Sequence, residues 1–181
     1  MSSKVKKVTP SQIRAGKADF PLIGMPLGSP PAAAVTSPNK QKAAFDFPKK
    51  FTDDELKERL TPQQYNVTQR AGTDKPGAGD YYKHKEKGDY LCVVCQESLF
   101  SSNTKYDSRS GWPSFYDVVS QDKVKLLKDT SMMMPRTEVV CSQCGAHLGH
   151  VFNDGPKDET GKRYCINSSS LCFKKNDSSP E

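Results

Sequence analysis

The pattern of hydrophobic and polar positions divides the chain near residue 48. Residues 1–48 show little apolar periodicity and are rich in proline, alanine, serine and lysine. Such a segment cannot bury enough apolar surface to offset the entropy lost on ordering. We therefore expect residues 1–48 to be a disordered basic tail, residues 49–175 to be the folded domain, and residues 176–181 to be a short C-terminal tail.

The folded domain is predicted to begin with two short helices. Thr52 followed by Glu55 is typical of a capping box and predicts a helix from Asp53 to Leu60. Thr61 repeats this signal and predicts a second helix. After residue 73 short runs of β-branched and aromatic residues alternate with turn residues, which favours an antiparallel, mainly β body. The predicted strands lie near 89–94, 97–100, 115–119, 123–127, 136–141, 147–152, 163–167 and 169–174.

Charge and hydropathy exclude two classes of partner. The formal net charge is +6, but residues 1–50 carry +7 and the remainder carries -1. The folded domain therefore lacks the basic surface that nucleic acid requires, and we interpret the basic tail as a solvated arm. The mean hydropathy is -0.73, and no apolar run approaches the roughly 20 residues that span a bilayer. We expect neither a nucleic-acid nor a membrane partner.

Four of the six cysteines form two Cys-x-x-Cys pairs, Cys92 with Cys95 and Cys141 with Cys144. Two such turns supply four soft ligands, which suits a tetrahedral structural Zn²⁺ with no open position. A redox pair normally lies between a strand and a helix, and disulfides are typical of secreted domains. These two alternatives stay open, but zinc is the interpretation we favour. We expect no organic cofactor.

The other two cysteines, Cys165 and Cys172, lie in the C-terminal strand region. In a regular strand their odd separation would place them on opposite faces. Arg163 would lie on the same face as Cys165, where its charge favours the thiolate. A buried cysteine is also an ordinary small hydrophobic residue, so the spacing alone leaves the reactivity of Cys165 open.

Four segments occur in a fixed order along the chain. They are Gly-Trp-Pro-Ser-Phe at 111–115, Cys-Ser-Gln-Cys-Gly-Ala-His-Leu-Gly-His-Val-Phe at 141–152, Asp-Gly-Pro at 154–156 and Arg-Tyr-Cys-Ile-Asn-Ser at 163–168. Together they make the chain closely resemble the methionine-R-sulfoxide reductase family over roughly residues 51–174.

The resemblance implies two antiparallel sheets, sandwich- or barrel-like, and an enzyme that reduces the R epimer of methionine sulfoxide in proteins with thioredoxin or another thiol as reductant. Cys165 would be the nucleophile. His147 and His150 would bond or protonate the sulfoxide oxygen, Asn167 would add a donor, and Trp112 would contact the S-methyl group. Both Cys-x-x-Cys pairs would hold the zinc.

Plainer interpretations exist for most of these residues. The histidines could be zinc ligands or satisfied structural residues, and Asn167 could cap a turn. Trp112 could belong to the core, and Met132 to Met134 are expected to pack rather than to contact substrate. A zinc-dependent binding module is the rival function. We expect a monomer in the cytoplasm, with the mitochondrion as the alternative compartment.

One position departs from the pattern of many family members. Where they carry a second, recycling cysteine, this chain has Ser110, and a hydroxyl cannot form the resolving disulfide. In a regular strand Cys172 would lie up to about 23 Å from Cys165, whereas a disulfide requires Cα atoms within about 7 Å. The sequence therefore predicts that an external thiol reduces Cys165 directly.

Overall fold

A computed structural model describes residues 42–176 of the chain. Residues 1–41 and 177–181, which include most of both predicted tails, lie outside the described residues. The described part of the predicted tail contains a short 3-10 turn, Lys42–Ala44. Within residues 42–176 no helix has both the length and the apolarity needed to cross a membrane.

Two short helices open the domain, as predicted. They are α1, Asp53–Arg59, and α2, Pro62–Arg70. Both begin with a capping box, in which Thr52 pairs with Glu55 and Thr61 with Gln64. Each box satisfies backbone N–H groups that a helix leaves unpaired at its first turn.

The rest of the domain consists of nine antiparallel strands in two sheets, which confirms the mainly β fold. The order is β2-β1-β9 in the small sheet and β3-β4-β8-β7-β6-β5 in the large sheet. The strands are β1 Gly88–Cys92, β2 Ser98–Ser101, β3 Lys105–Tyr106, β4 Ser114–Phe115, β5 Val124–Asp129, β6 Arg136–Cys141, β7 His147–Phe152, β8 Arg163–Ile166 and β9 Leu171–Lys175.

Aromatic side chains fill the core. Phe100 of the small sheet stacks on Phe115 of the large sheet, with ring centroids 4.5 Å apart. Tyr90 meets Phe115 at 5.1 Å, and Tyr164 lies 5.8 Å from Phe100. All four side chains are fully buried. Such pairs contribute about 0.5–1.5 kcal/mol each beyond their burial, so they fix one face of the large sheet against the small sheet.

The two C-terminal strands predicted near 163–167 and 169–174 are present, but they lie in different sheets. β8 ends at Ile166, and a 3-10 turn, Ser168–Ser170, carries the chain from the large sheet to β9 in the small sheet. Cys165 and Cys172 therefore belong to different sheets, and the rule of alternating faces does not apply to them. The short strand β3 was not predicted, because two residues provide no periodic pattern.

The contact between β7 and β8 requires glycine at position 149. A Cβ atom there would lie 2.1 Å from the backbone oxygen of Cys165 and 3.0 Å from the Cα of Ile166. No side-chain rotation can relieve a clash with backbone atoms. Gly149 thus permits the strand that carries Cys165 to approach β7 closely.

We expect the Gly149→Ala substitution to destabilise the domain by about 1–3 kcal/mol, because the methyl group must push β8 away from β7. Denaturant unfolding monitored by circular dichroism measures this loss. An unfolding free energy equal to that of the unmodified chain would contradict the account of this strand pair.

Candidate functional site

The register of β8 between its two neighbours places Cys165 in a row of polar residues. Cys165 pairs with Ser114 of β4 on one side and with His150 of β7 on the other. The row continues through Tyr106 on β3 and Glu138 on β6. Side chains of directly paired residues project from the same face of a sheet, with Cβ atoms about 4.5–5.5 Å apart. The nucleophile candidate and one histidine candidate are therefore neighbours.

A cavity of about 120 Å³ opens beside this row. Four residues proposed from the sequence line it, together with four that were not proposed. The first group is Trp112, His150, Cys165 and Asn167; the second is Thr73, Arg136, Gly149 and Phe152. A space of this size can hold a small polar group with its methyl substituent.

Cys165 is half-buried at the wall of the cavity. Burial raises the pKa of its thiol above the ordinary value, and this effect exceeds the lowering that comes from the Ser110 hydroxyl and the Arg163 guanidinium. The Ser110 oxygen lies 4.0 Å from the Cys165 sulfur. The sulfur therefore rests as a thiol and needs a base nearby to become a nucleophile.

His150, which pairs directly with Cys165 across the sheet, is the titratable residue that can act as this base. Its Nε2 lies 2.8 Å from a carboxylate oxygen of Asp129, so this nitrogen carries the ring proton and donates a hydrogen bond to Asp129. Burial lowers the pKa of His150 and outweighs the favourable hydrogen bond to Asp129. The ring is consequently neutral near pH 7, and its Nδ1 is left as the acceptor.

Asp129, at the end of β5, is a site residue that the sequence did not reveal. Burial favours its neutral form, but hydrogen bonds from Ser131 and His150 and the charge of Arg136 outweigh burial and hold the pKa of Asp129 well below its usual range. Arg136 lies 2.9 Å from the same carboxylate oxygen that meets His150. Asp129 is thus a fixed anion that orients the imidazole.

His147 lies beside His150 but does not line the cavity. Its side chain is buried, and its Nδ1 lies 2.8 Å from a carboxylate oxygen of Glu138. The two imidazole centroids are 5.5 Å apart. The Nε2 of His147 is buried and has no hydrogen-bond partner among the described residues. His147 therefore contacts the cavity residue His150 rather than the cavity itself.

The two histidines share one face because of a bulge. Residues three apart on a regular strand point to opposite faces. In β7, however, His147 pairs with Val140 and Gly149 with Val139, so Leu148 is an extra residue between the two pairs. This irregularity turns His147 to the side of His150.

Arg163 lies on the face of Cys165, as the sequence predicted, but a carboxylate already binds it. Its guanidinium makes two hydrogen bonds to Asp154, at 2.9 and 3.0 Å, and lies over the ring of Phe152. The charge of Asp154 offsets part of the effect of Arg163 on the thiol. Arg163 thus favours the thiolate without removing the effect of burial.

Trp112 and Asn167 are linked through the backbone of Asp74. The indole Nε1 of Trp112 donates to the Asp74 carbonyl at 2.9 Å, and the Asp74 N–H donates to Asn167 Oδ1 at 2.9 Å. Asn167 Nδ2 donates to the carbonyl of Leu148 at 3.0 Å. Asn167 does not cap the following turn with its side chain. Both residues therefore present fixed surfaces to the cavity.

The four cysteines of the two Cys-x-x-Cys pairs form one cluster. Cys92 and Cys144 have sulfur atoms 3.7 Å apart, and those of Cys95 and Cys141 are 3.6 Å apart. All four sulfur atoms lie within 4.8 Å of one another. A tetrahedron with metal–sulfur bonds of about 2.3 Å has edges of about 3.8 Å. The geometry fits a metal ion, and no histidine belongs to the cluster within the described residues.

Cys172 and the methionine run lie away from the positions expected of them. The Cys172 sulfur contacts the carbonyls of Leu91 and Cys92, at 3.7 and 3.9 Å, in the small sheet. The expectation that Met132 to Met134 pack against the rest of the domain is wrong, because all three side chains are exposed on the connection between β5 and β6. A β-hairpin loop of this length has no interior face for them.

Comparison with known proteins identifies the family. The SelR domain family matches residues 60–175. A peptide methionine sulfoxide reductase MsrB of Methanosarcina barkeri is 59% identical over 123 residues, which cover 68% of this chain and 86% of that protein. This chain belongs to the MsrB family.

Other relatives agree with the MsrB assignment. The mitochondrial methionine-R-sulfoxide reductase B3 of Mus musculus is 57% identical over 71% of this chain and 51% of its own length. The methionine-R-sulfoxide reductase B1 of Drosophila melanogaster is 54% identical over 66% of this chain and 63% of its own length. Membership of the MsrB family favours the reductase over the rival zinc-dependent binding module.

Two acidic residues of the candidate site had a recognisable sequence signal. Glu138 directly precedes the apolar residues Val139, Val140 and Cys141 in β6, and a buried acid in such a strand requires a partner. Asp129 ends the neighbouring strand at the same edge of the hairpin. Neither residue identifies its histidine, because that depends on the pairing of β5, β6 and β7.

Proposed function

We propose that this chain reduces the R epimer of methionine sulfoxide in proteins, with the Cys165 sulfur as nucleophile. The observation that carries the proposal is the placement of Cys165 beside His150 at a small cavity in a chain of the MsrB family. The sulfur of a sulfoxide is a weak electrophile that becomes reactive when its oxygen is protonated or strongly hydrogen-bonded.

The reaction begins with transfer of the Cys165 proton to the neutral ring of His150. His150 can accept this proton on Nδ1, because its other nitrogen, Nε2, already carries a proton that is hydrogen-bonded to Asp129. The new imidazolium lies between the Asp129 carboxylate and the cavity, and this carboxylate stabilises its charge. His147 and Glu138 support the orientation of His150 from the interior.

The Cys165 thiolate then attacks the sulfoxide sulfur while His150 returns the proton to the sulfoxide oxygen. This attack forms a bond between the Cys165 sulfur and the substrate sulfur. That bond and the sulfur–oxygen bond of the substrate then break as the hydroxyl moves to the Cys165 sulfur, which becomes a sulfenic acid. Methionine leaves as the reduced thioether. Trp112 supplies an apolar wall for the S-methyl group, whereas His150 and Asn167 supply the polar wall, so only one epimer satisfies both.

The sulfenic acid is reduced by an external thiol such as thioredoxin. The first thiol forms a mixed disulfide with Cys165 and releases water, and a second thiol group releases Cys165 and leaves as a disulfide. Ser110 stands beside Cys165 and cannot form a disulfide, and Cys172 lies on the other sheet. An internal disulfide is therefore not part of the proposed cycle.

The four-cysteine cluster would hold one structural Zn²⁺. Four thiolates fill the coordination of this ion and leave no position for substrate. The cavity and the cluster are each formed by residues of one chain, so a monomer suffices for the activity. The free cysteines suit a reducing compartment. We favour the cytoplasm, with the mitochondrion as the alternative.

Cys165→Ser should remove all reduction of methionine-R-sulfoxide and leave the metal content and the melting temperature unchanged. A hydroxyl at this position is too weak a nucleophile to replace the thiol. Turnover is measured as NADPH consumption with thioredoxin and thioredoxin reductase, using R and S sulfoxides separately.

Cys172→Ser is the matched control for this measurement. It should retain turnover with both thioredoxin and dithiothreitol. Residual activity of Cys165→Ser above a few per cent would overturn the role of Cys165. A loss of turnover in Cys172→Ser with thioredoxin alone would overturn direct reduction by an external thiol.

Cys95→Ser should reduce the zinc content from one ion per chain to well below one and lower the melting temperature by about 10 °C or more, because metal binding contributes directly to folding. Metal analysis and calorimetry measure these changes. The Cys172→Ser chain should keep its zinc, although Cys172 contacts the same turn. Full zinc occupancy in Cys95→Ser would show that the cluster is not the metal site.

A further inference from the structure

Three consecutive methionines lie exposed on the connection between β5 and β6, close in sequence to two residues of the candidate site, Asp129 and Arg136. Met132, Met133 and Met134 are exposed to 61%, 105% and 77% of their reference areas, the highest values among the large apolar residues of the described chain. A run of exposed apolar side chains is costly in water and is normally kept only where it contacts something.

The base of this loop belongs to the cavity. Asp129 at the end of β5 accepts hydrogen bonds from the N–H and hydroxyl of Ser131, at 2.9 and 2.6 Å. The other oxygen of Asp129 meets Arg136 and His150, and both of these residues line the cavity. The methionines therefore begin directly beside the groups that would act on the substrate.

Methionine is suited to contact many different partners. Its unbranched side chain and polarizable sulfur adapt to irregular surfaces. An enzyme that repairs methionine in proteins meets its target within many different sequences, and methionine is one of the residues most often buried with other apolar residues. A flexible apolar surface beside the cavity matches such flanking residues.

We propose that Met132, Met133 and Met134 form an apolar lip that binds the residues flanking the oxidised methionine of a protein substrate. This inference rests on the proposed reductase function and narrows its substrate class to sulfoxides with apolar neighbours. The lip acts only on substrates long enough to reach the loop.

The test compares three substrates: N-acetyl methionine-R-sulfoxide, a peptide with leucine and phenylalanine beside the sulfoxide, and a peptide with serine and lysine there. Replacing all three methionines by serine should raise KM for the apolar peptide about five-fold or more and change KM for the other two less than two-fold. Replacing them by leucine should preserve the preference.

Two outcomes would overturn the lip. One is a triple-serine chain that keeps its preference for the apolar peptide, and the other is an equal effect on all three substrates. A melting temperature equal to that of the unmodified chain confirms that the serine chain is folded. If the unmodified chain reduced none of the three substrates, the proposed reductase function would be wrong. This result differs from both outcomes that overturn the lip, because in those the chain is active.

A second, independent observation concerns the serines on the other side of Cys165. Ser114 Oγ lies 2.6 Å from Ser108 Oγ, and Ser108 Oγ lies 2.8 Å from Ser110 Oγ. Ser110 Oγ in turn lies 4.0 Å from the Cys165 sulfur. Each hydroxyl has one proton, and the distances allow a chain of donors that runs from Ser114 to Cys165.

The alternative acceptors for Ser110 are weaker. Its oxygen lies 3.4 Å from the Trp112 carbonyl and 3.5 Å from the Ser114 hydroxyl, and both are long contacts to neutral groups. An anionic sulfur attracts a hydroxyl proton more strongly than a neutral carbonyl does. Donors in a chain also polarise one another, which strengthens the last bond.

We propose that Ser110 donates a hydrogen bond to the Cys165 thiolate, with Ser108 and Ser114 as positioning residues. The residue that cannot serve as a recycling thiol would thereby stabilise the nucleophile instead. The charged and titratable groups that face Cys165 or line its cavity are Arg163 on β8, Asp154 in the connection between β7 and β8, His150 on β7, Arg136 on β6 and Tyr106 on β3. None of them changes when Ser110 is replaced.

Ser110→Ala should move the pH midpoint of Cys165 alkylation by iodoacetamide upward, because a group that lowers the pKa of the thiol is lost. It should also reduce kcat/KM near pH 7 about three- to ten-fold. Ser110→Thr keeps the hydroxyl and should restore both values. The alkylation is measured on zinc-loaded chains that also carry Cys172→Ser, so that Cys165 is the labelled thiol.

An unchanged midpoint in Ser110→Ala would overturn this role, as would a threonine chain that behaves like the alanine chain. Alkylation does not require sulfoxide reduction. The test therefore remains decisive even if the proposed function were wrong.

Discussion

The pairing register of β8 between β4 and β7 is the constraint on which the site depends. It places Cys165 directly opposite Ser114 on one side and His150 on the other. A shift of one residue would turn Cys165 into the aromatic core and Tyr164 toward the cavity. The register is held from the core side by the burial of Tyr164 and Ile166, and from the β7 side by the close approach at Gly149.

The cysteine cluster lies at the start of β7, the strand that carries both histidines. Its two turns connect β1 to β2 in the small sheet and β6 to β7 in the large sheet. β7, which carries both histidines, begins three residues after Cys144. A metal ion held by four sulfurs would fix the two hairpins against each other where aromatic packing ends. Structural and chemical roles are thus divided between separate sets of cysteines.

Burial makes both partners of the proposed proton transfer neutral at rest. It raises the pKa of Cys165 and lowers that of His150. The permanent charges around the site are paired with each other, as Asp129 with Arg136, which lines the cavity, and as Asp154 with Arg163. When the proton moves from Cys165 to His150, the Asp129 carboxylate is already in position to stabilise the resulting imidazolium.

Local signals in the sequence determined the helices, most of the strands and the cysteine cluster. Capping boxes act over four residues, strand patterns over six, and a Cys-x-x-Cys turn aims both sulfurs at one point. The ordered motifs likewise indicated the family, and with it the residues proposed for the site. Local signals did not identify the partners of those residues, because Asp129 and Glu138 reach the two histidines only when β5, β6 and β7 pair.

Tertiary structure alone decided three further features. The bulge at Leu148 places His147 beside His150, although their spacing would separate them on a regular strand. The turn after Asn167 carries the chain to the other sheet, so Cys172 and Cys165 lie in different sheets, which the two strands predicted from the sequence did not indicate. The short loop after β5 leaves its three methionines in solvent. In each case the outcome depends on where the backbone meets a second segment, and the sequence of one segment does not contain that information.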